Sequence, residues 1–118
     1  MQRCLACEGV VKPLSSKLAR SYLKQTPGWV SIKNKRIQRD FQFKNFVQAL
    51  HFANAIGRIA EKENHHPDIL LHSWNKLKIT LYTHALKGLS LNDFIIAGKI
   101  NNLKSNTLPI GGEIRKNR

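Results

Sequence analysis

The chain is poor in cysteine and in acidic residues, and it has no long apolar run. Cys4 and Cys7 are its two cysteines in 118 residues. They form one C-x-x-C pair, half of a zinc site, and no second pair completes it. Two cysteines do not make a disulfide framework, so a reducing compartment and a cytoplasmic location are expected. The opening Met-Gln-Arg-Cys-Leu-Ala-Cys-Glu-Gly lacks the apolar core of a secretory signal. No apolar stretch reaches membrane-spanning length, so no membrane partner is expected. Only 7 Asp and Glu stand against 20 Lys and Arg, a formal net charge of +13. Such a balance favours anionic partners in general. The basic residues are scattered, however, and no RNP-like or zinc-finger pattern organises them. Nucleic acid is therefore a possible partner but not the expected one.

What is present fits one domain. Hydrophobic residues make up 42% of the chain, enough for a sizeable core. Residues 1–13 read as a flexible N-terminal segment and residues 105–118 as a basic flexible tail. Between them, Ser15 or Ser16 caps a helix running to about Gln25. Pro27-Gly28 stops it. Trp29–Lys33 and Ile37–Phe43 read as strands joined by a turn at Asn34-Lys35. A long helix spans Asn45 to about Asn64, with Phe46, Ala49, Leu50, Ala53, Ile56, Ile59 and Ala60 on one face. Pro67 forbids its continuation. Ile69–Trp74 and Leu77–Thr83 read as a second hairpin turning at Asn75-Lys76. Its last strand points Leu77, Ile79 and Leu81 inward, and Lys78, Thr80 and Tyr82 outward. Ser90 caps a final helix to about Leu103. The order α-β-β-α-β-β-α predicts an α+β fold: a four-stranded antiparallel sheet with helices packed on one face.

Chemistry concentrates in Glu61-Lys-Glu-Asn-His65-His66-Pro67-Asp68, with His84 and Asp93 further on. Residues equidistant from a turn face each other across antiparallel strands. A turn near Asn75 therefore brings His84 to the His66-Pro67 end of the hairpin. Histidine exchanges protons near neutral pH, so three histidines at one hairpin end make a candidate acid–base site. Asp93 suits two roles: orienting an imidazole, or favouring the positive end of its helix. Each histidine also has a plain structural reading, as a helix C-cap for His65-His66 and as a surface residue for His84. His51 lies mid-helix and His72 mid-strand, and neither is expected to act. No metal and no cofactor are expected, because adjacent histidines are awkward joint ligands of one ion.

These residues carry a resemblance. Glu61-x3-His65-His66-Pro67, then Trp74, nine residues to His84 and eight more to Asp93, resembles the signature of the pterin-4a-carbinolamine dehydratase family. Pro27-Gly28-Trp29, Phe41-x-Phe43, Lys78-Ile-Thr-Leu-x-Thr-His84 and Gly88-Leu-Ser-x-x-Asp93 fit as well. The resemblance covers about residues 14–104. It implies a dehydratase that converts 4a-hydroxytetrahydropterin to quinonoid dihydropterin. That product feeds recycling of the tetrahydropterin cofactor of aromatic amino acid hydroxylases. It maps His65, His66 and His84 to the catalytic histidines. Glu61, Pro67, Asp68, Trp74 and Asp93 then bind or orient the substrate. It further implies a homodimer or a tetramer built from dimers. A different class is also open, since animal members act as dimerisation cofactors of a homeodomain transcription factor. The +13 charge suits such a binding or regulatory role. Support of molybdenum-cofactor enzymes is a third reading within the family's range.

Overall fold

The computed structural model describes residues 13–103 and 107–108. Cys4, Cys7 and the remainder of both terminal segments lie outside that range. Ser15 caps helix α1 (Ser16–Lys24) by accepting the Leu18 amide at 3.2 Å. After Pro27, Gly28 takes φ +92°, a left-handed angle that side-chain-bearing residues rarely adopt. A Cβ there would also come within 2.8 Å of the Arg39 guanidinium. The chain then enters the hairpin β1 (Val30–Ile32) and β2 (Arg36–Phe43).

Asn45 caps helix α2 (Phe46–Glu63) through the Gln48 amide at 2.8 Å. Asn64 closes α2 in the left-handed conformation, φ 54°, a usual way to end a helix without glycine. Strands β3 (Asp68–His72) and β4 (Lys76–Leu81) follow as the second hairpin. Beyond β4, Thr83 pairs back with Gly88 and encloses a single 3-10 turn, His84–Leu86. Ser90 and Asp93 form the capping box of helix α3 (Leu91–Asn101).

The sheet order is β1-β2-β4-β3, with every neighbouring pair antiparallel. The helices cover one face, as the α-β-β-α-β-β-α pattern predicts. Ile37, Phe41 and Phe43 of β2 and Leu77, Ile79 and Leu81 of β4 are buried there against Ala49, Phe52 and Ile56 of α2 and Ile96 and Ile100 of α3. Burying each large apolar side chain stabilises the fold by about 1.5–3 kcal/mol. Phe52 sits 4.9 Å from Phe41 and 5.1 Å from Phe43, ring centre to ring centre.

Arg39 interrupts the apolar row of β2. Its guanidinium lies over the Phe41 ring and bonds Asn101, while Asn101 also accepts from the Trp29 indole at 2.9 Å. Burial pushes the Arg39 guanidinium below its ordinary pKa. The Pro27-Gly28-Trp29 corner is thus tied to the end of α3.

Several particulars differ from the sequence reading. Both hairpins close on three residues, 33–35 and 73–75, earlier than Asn34-Lys35 and Asn75-Lys76. Lys33, Asn34, Ser73 and Trp74 all take positive φ, between 51° and 59°. Two successive left-handed residues match the twist of the strands, and no glycine marks them in the sequence. The apolar face of α2 is rotated. Phe52 is in the core, whereas Phe46 and Leu50 are exposed. A fifth strand, β5 (Thr107–Leu108), falls in the expected tail and pairs with Phe43 and Gln42. Short β1 leaves that half of the β2 edge open, and β5 supplies its missing backbone partners.

Candidate functional site

The two ends of the β3–β4 hairpin have different jobs. At the open end, Asp68 pairs with Thr80, and the chain on either side runs into His66-Pro67 and Tyr82–His84. An open cleft of about 340 Å³ lies there, lined by His65, His66, Pro67, Asp68, Tyr82 and His84 among others. The three sequence-predicted histidines therefore share one cavity. The equidistance argument places this correctly in outline. With the loop at 73–75, the pairing register extends His66 toward Tyr82 rather than toward His84.

His65 follows the α2 cap, and its amide bonds the Ala60 carbonyl at 3.1 Å. Its ring is turned inward and only 6% exposed. Nε2 donates to Asp93 Oδ1 at 2.7 Å. Asp93 is completely buried, and its other oxygen, Oδ2, accepts from the Ser90 amide and the Thr83 hydroxyl, each at 2.9 Å. Thr83 spends its one proton on Asp93, so the Ser90 hydroxyl donates to Thr83 at 2.7 Å. Both readings of Asp93 hold together. One oxygen serves the helix N-terminus and the other carries the imidazole. A charged acceptor makes these the stronger kind of hydrogen bond, and it fixes Nε2 of His65 as the protonated nitrogen.

His66 and His84 are held differently. His66 Nε2 lies 2.6 Å from Glu61 Oε2, and both side chains are exposed. Glu61 therefore pairs with His66, not with His65. Pro67 and His66 also wall a second groove of about 590 Å³ beside Gly57, Arg58 and Glu61. His84 sits on the 3-10 turn, with Nδ1 2.8 Å from the Tyr82 hydroxyl. Asp68 stands exposed at the rim.

Trp74 does not join this group. It is 62% exposed at the tip of the β3–β4 hairpin, the end away from the histidines. The aromatic side chain in the cleft is Tyr82. Its outward parity on β4 is legible in the sequence, although its contact with His84 is not. His51 is exposed on α2. His72 ends β3, with Nδ1 3.1 Å from the Ser73 hydroxyl. Among the described residues, no three His, Cys, Asp or Glu side chains are grouped to hold a metal ion. Also among them, no helix is long and apolar enough to cross a membrane.

The α2–α3 junction is tied a second time. Lys99 of α3 bonds Glu63 at 2.9 Å, and the Glu63 side chain is 3% exposed. Helix α3 thus grips the corner before His65 through Lys99 and His65 itself through Asp93.

Fold and cleft together define an α+β sandwich with three histidines lining one cleft at one sheet end. The chain belongs to the pterin 4 alpha carbinolamine dehydratase family, whose model matches residues 12–103. A protein of Alkaliphilus metalliredigens (strain QYMF) is 46% identical over 105 residues, spanning 88% of this chain and 94% of that one. A protein of Rubrobacter xylanophilus is 39% identical over 102 residues, spanning 86% of this chain and 94% of that one. Both carry the provisional name pterin-4-alpha-carbinolamine dehydratase. The crystal structure of a transcriptional coactivator/pterin dehydratase from Brucella melitensis matches with TM-score 0.71 and 31% identity. It covers 76% of this chain and 96% of that one. A pterin dehydratase-like RuBisCO assembly factor of the alpha-carboxysome shares the fold at TM-score 0.53 and 21% identity.

Proposed function

We propose that this protein dehydrates 4a-hydroxytetrahydropterin to quinonoid dihydropterin. The observation that carries the reading is that two differently held imidazoles, His65 on buried Asp93 and His84 on Tyr82, line one cleft. In the reaction the C4a–O bond breaks as the hydroxyl takes up a proton and departs as water. The N5–H bond also breaks, its electron pair forms the C4a=N5 bond, and the proton goes to a base. One group must give a proton and another must take one, and paired imidazoles do both near neutral pH. His65 and His84 are assigned to these two transfers. His66, steadied by Glu61, holds the pterin by hydrogen bonding, with Pro67 and Asp68 as rim contacts. A two-electron reduction by a separate reductase then returns the product to the tetrahydropterin cofactor of aromatic amino acid hydroxylases, in the cytoplasm.

The same reading takes the protein to be a homodimer or a dimer of dimers. Its support is β3, an edge strand whose Ile69 and Leu70 are exposed. An uncovered apolar edge invites pairing with another strand.

The test is the disappearance of synthetic 4a-hydroxytetrahydropterin, followed by ultraviolet absorbance, for wild type, His65→Ala and His84→Ala. A fast wild-type reaction lost in both variants supports the dehydratase. A folded wild type no faster than buffer sinks it.

A binding or regulatory role is the second reading. The Brucella relative's description as a transcriptional coactivator and the +13 charge favour it. Retention on nucleic acid that falls steeply with salt would support it.

A further inference from the structure

We infer that Tyr82 is a positioning residue for His84, holding its imidazole aimed through both of its proton states. The inference rests on the dehydratase reading and assigns a role that reading leaves open.

His84 needs such a partner. It lies exposed on a 3-10 turn, where a ring has freedom to rotate and to exchange tautomers. His65 owes its aim to burial and to Asp93, and His84 has neither. Among the described residues, the hydrogen-bond partner of its ring is the Tyr82 hydroxyl, 2.8 Å from Nδ1. The two rings also pack, with centroids 4.1 Å apart at 47°. With Nδ1 engaged, Nε2 is the nitrogen left to exchange a proton with a molecule in the cleft.

The chemistry of the partner matters. A carboxylate accepts hydrogen bonds and so favours one state of an imidazole, the cation. A phenol donates or accepts. With hydrogen on Nδ1, its oxygen accepts that N–H whether Nε2 is protonated or free, and as a neutral acceptor it biases the ring toward the cation less than a carboxylate does. The Tyr82–His84 contact therefore survives a change of proton on His84, as an acid–base cycle requires.

Tyr82 is itself steadied. The register that pairs Ile37 with Leu81 places Arg36 opposite Tyr82, and the Arg36 guanidinium lies 5.5 Å from the tyrosine ring centre. A cation over an aromatic face is an attractive arrangement. The charged and titratable groups around His84 are thus Arg36 behind Tyr82, and His65, His66 and Asp68 across the cleft.

The experiment is a double-mutant cycle on pterin dehydration, with ¹⁵N-resolved NMR of the His84 ring alongside. Tyr82→Phe keeps the ring and removes the hydroxyl. It should lower kcat about tenfold, a part of the roughly 10²–10⁴-fold that a general acid–base group supplies, with KM little changed. In a His84→Ala background the same change should have no further effect, because the two residues act as one unit. The His84 ring signals should shift in Tyr82→Phe. A Tyr82→Phe enzyme at wild-type kcat overturns the inference, and so do fully additive losses. If wild type shows no dehydratase activity, that reading falls by itself. The ring signals then decide this one: unchanged signals in Tyr82→Phe overturn it.

Discussion

The buried carboxylate of Asp93 accepts Nε2–H of His65 at 2.7 Å, although 28 positions separate the two residues. The same carboxylate accepts the amide of Ser90, the residue that caps the helix carrying it. Its removal should therefore be felt in both stability and rate. Asp93→Ala should cost about 1–3 kcal/mol, because it strands buried donors, and should slow dehydration by about 10²-fold if His65 transfers a proton. Asp93→Asn should recover part of the stability and little of the rate. Thermal unfolding and single-turnover dehydration separate the two effects. An Asp93→Ala enzyme at full activity would remove His65 from proton transfer.

Glu63 and Lys99 give a second test at the same junction. Lys99→Met leaves the Glu63 carboxylate buried without its cation. Loss of one partner should destabilise by about 1–3 kcal/mol, less than for a fully enclosed pair, because Lys99 keeps 26% exposure. The double variant Glu63→Leu/Lys99→Met should return much of that loss. Chemical denaturation midpoints of the three variants read the cycle.

Gly28 should tolerate no side chain. Gly28→Ala forces a Cβ into a left-handed φ of +92° and within 2.8 Å of the Arg39 guanidinium. The expected cost is about 1–3 kcal/mol, read as a lowered thermal midpoint. Arg39→Ala in the same chain should relieve the steric share and leave the conformational share.

Trp74→Ala is the negative control. The indole is at the tip of the hairpin, so kcat and KM should both stay within about twofold of wild type, as for surface changes away from a site. A large loss of rate would show that Trp74 reaches a cleft in an assembled oligomer.

Much of this was legible in the sequence, for identifiable reasons. Ser15 or Ser16 and Ser90 mark helix starts by short-range capping chemistry, and apolar periodicity marks the start at Asn45; the structure begins helices after Ser15, Asn45 and Ser90. The alternation of Leu77, Ile79 and Leu81 sets the inward face of β4. The spacing of the histidines about one turn brings His65, His66 and His84 to one cleft. What escaped depends on tertiary context. Phe46 and Leu50 fall on the helical period of α2, yet the helix is rolled so that Phe52 meets Phe41 and Phe43 instead. The turns at Lys33-Asn34 and Ser73-Trp74 adopt left-handed angles without glycine, so sequence punctuation misplaces them. Glu61 is closer in sequence to His65 than to His66, and only the corner after Asn64 decides that it faces His66. Thr83 and Ser90 give no local signal of their bonds to Asp93 and to each other.

The odd-numbered residues of β4 fill the interior, and the next even position, Tyr82, faces the histidines. The hydroxyl beside His84 is therefore set by the parity that packs Leu81 against Ile37. A slip of one residue in this hairpin would exchange the two faces, sending leucine to the cleft and phenol into the core. The protein cannot misalign the wall of its cleft and keep its interior. Any chain that packs correctly has, by the same count, already placed its tyrosine.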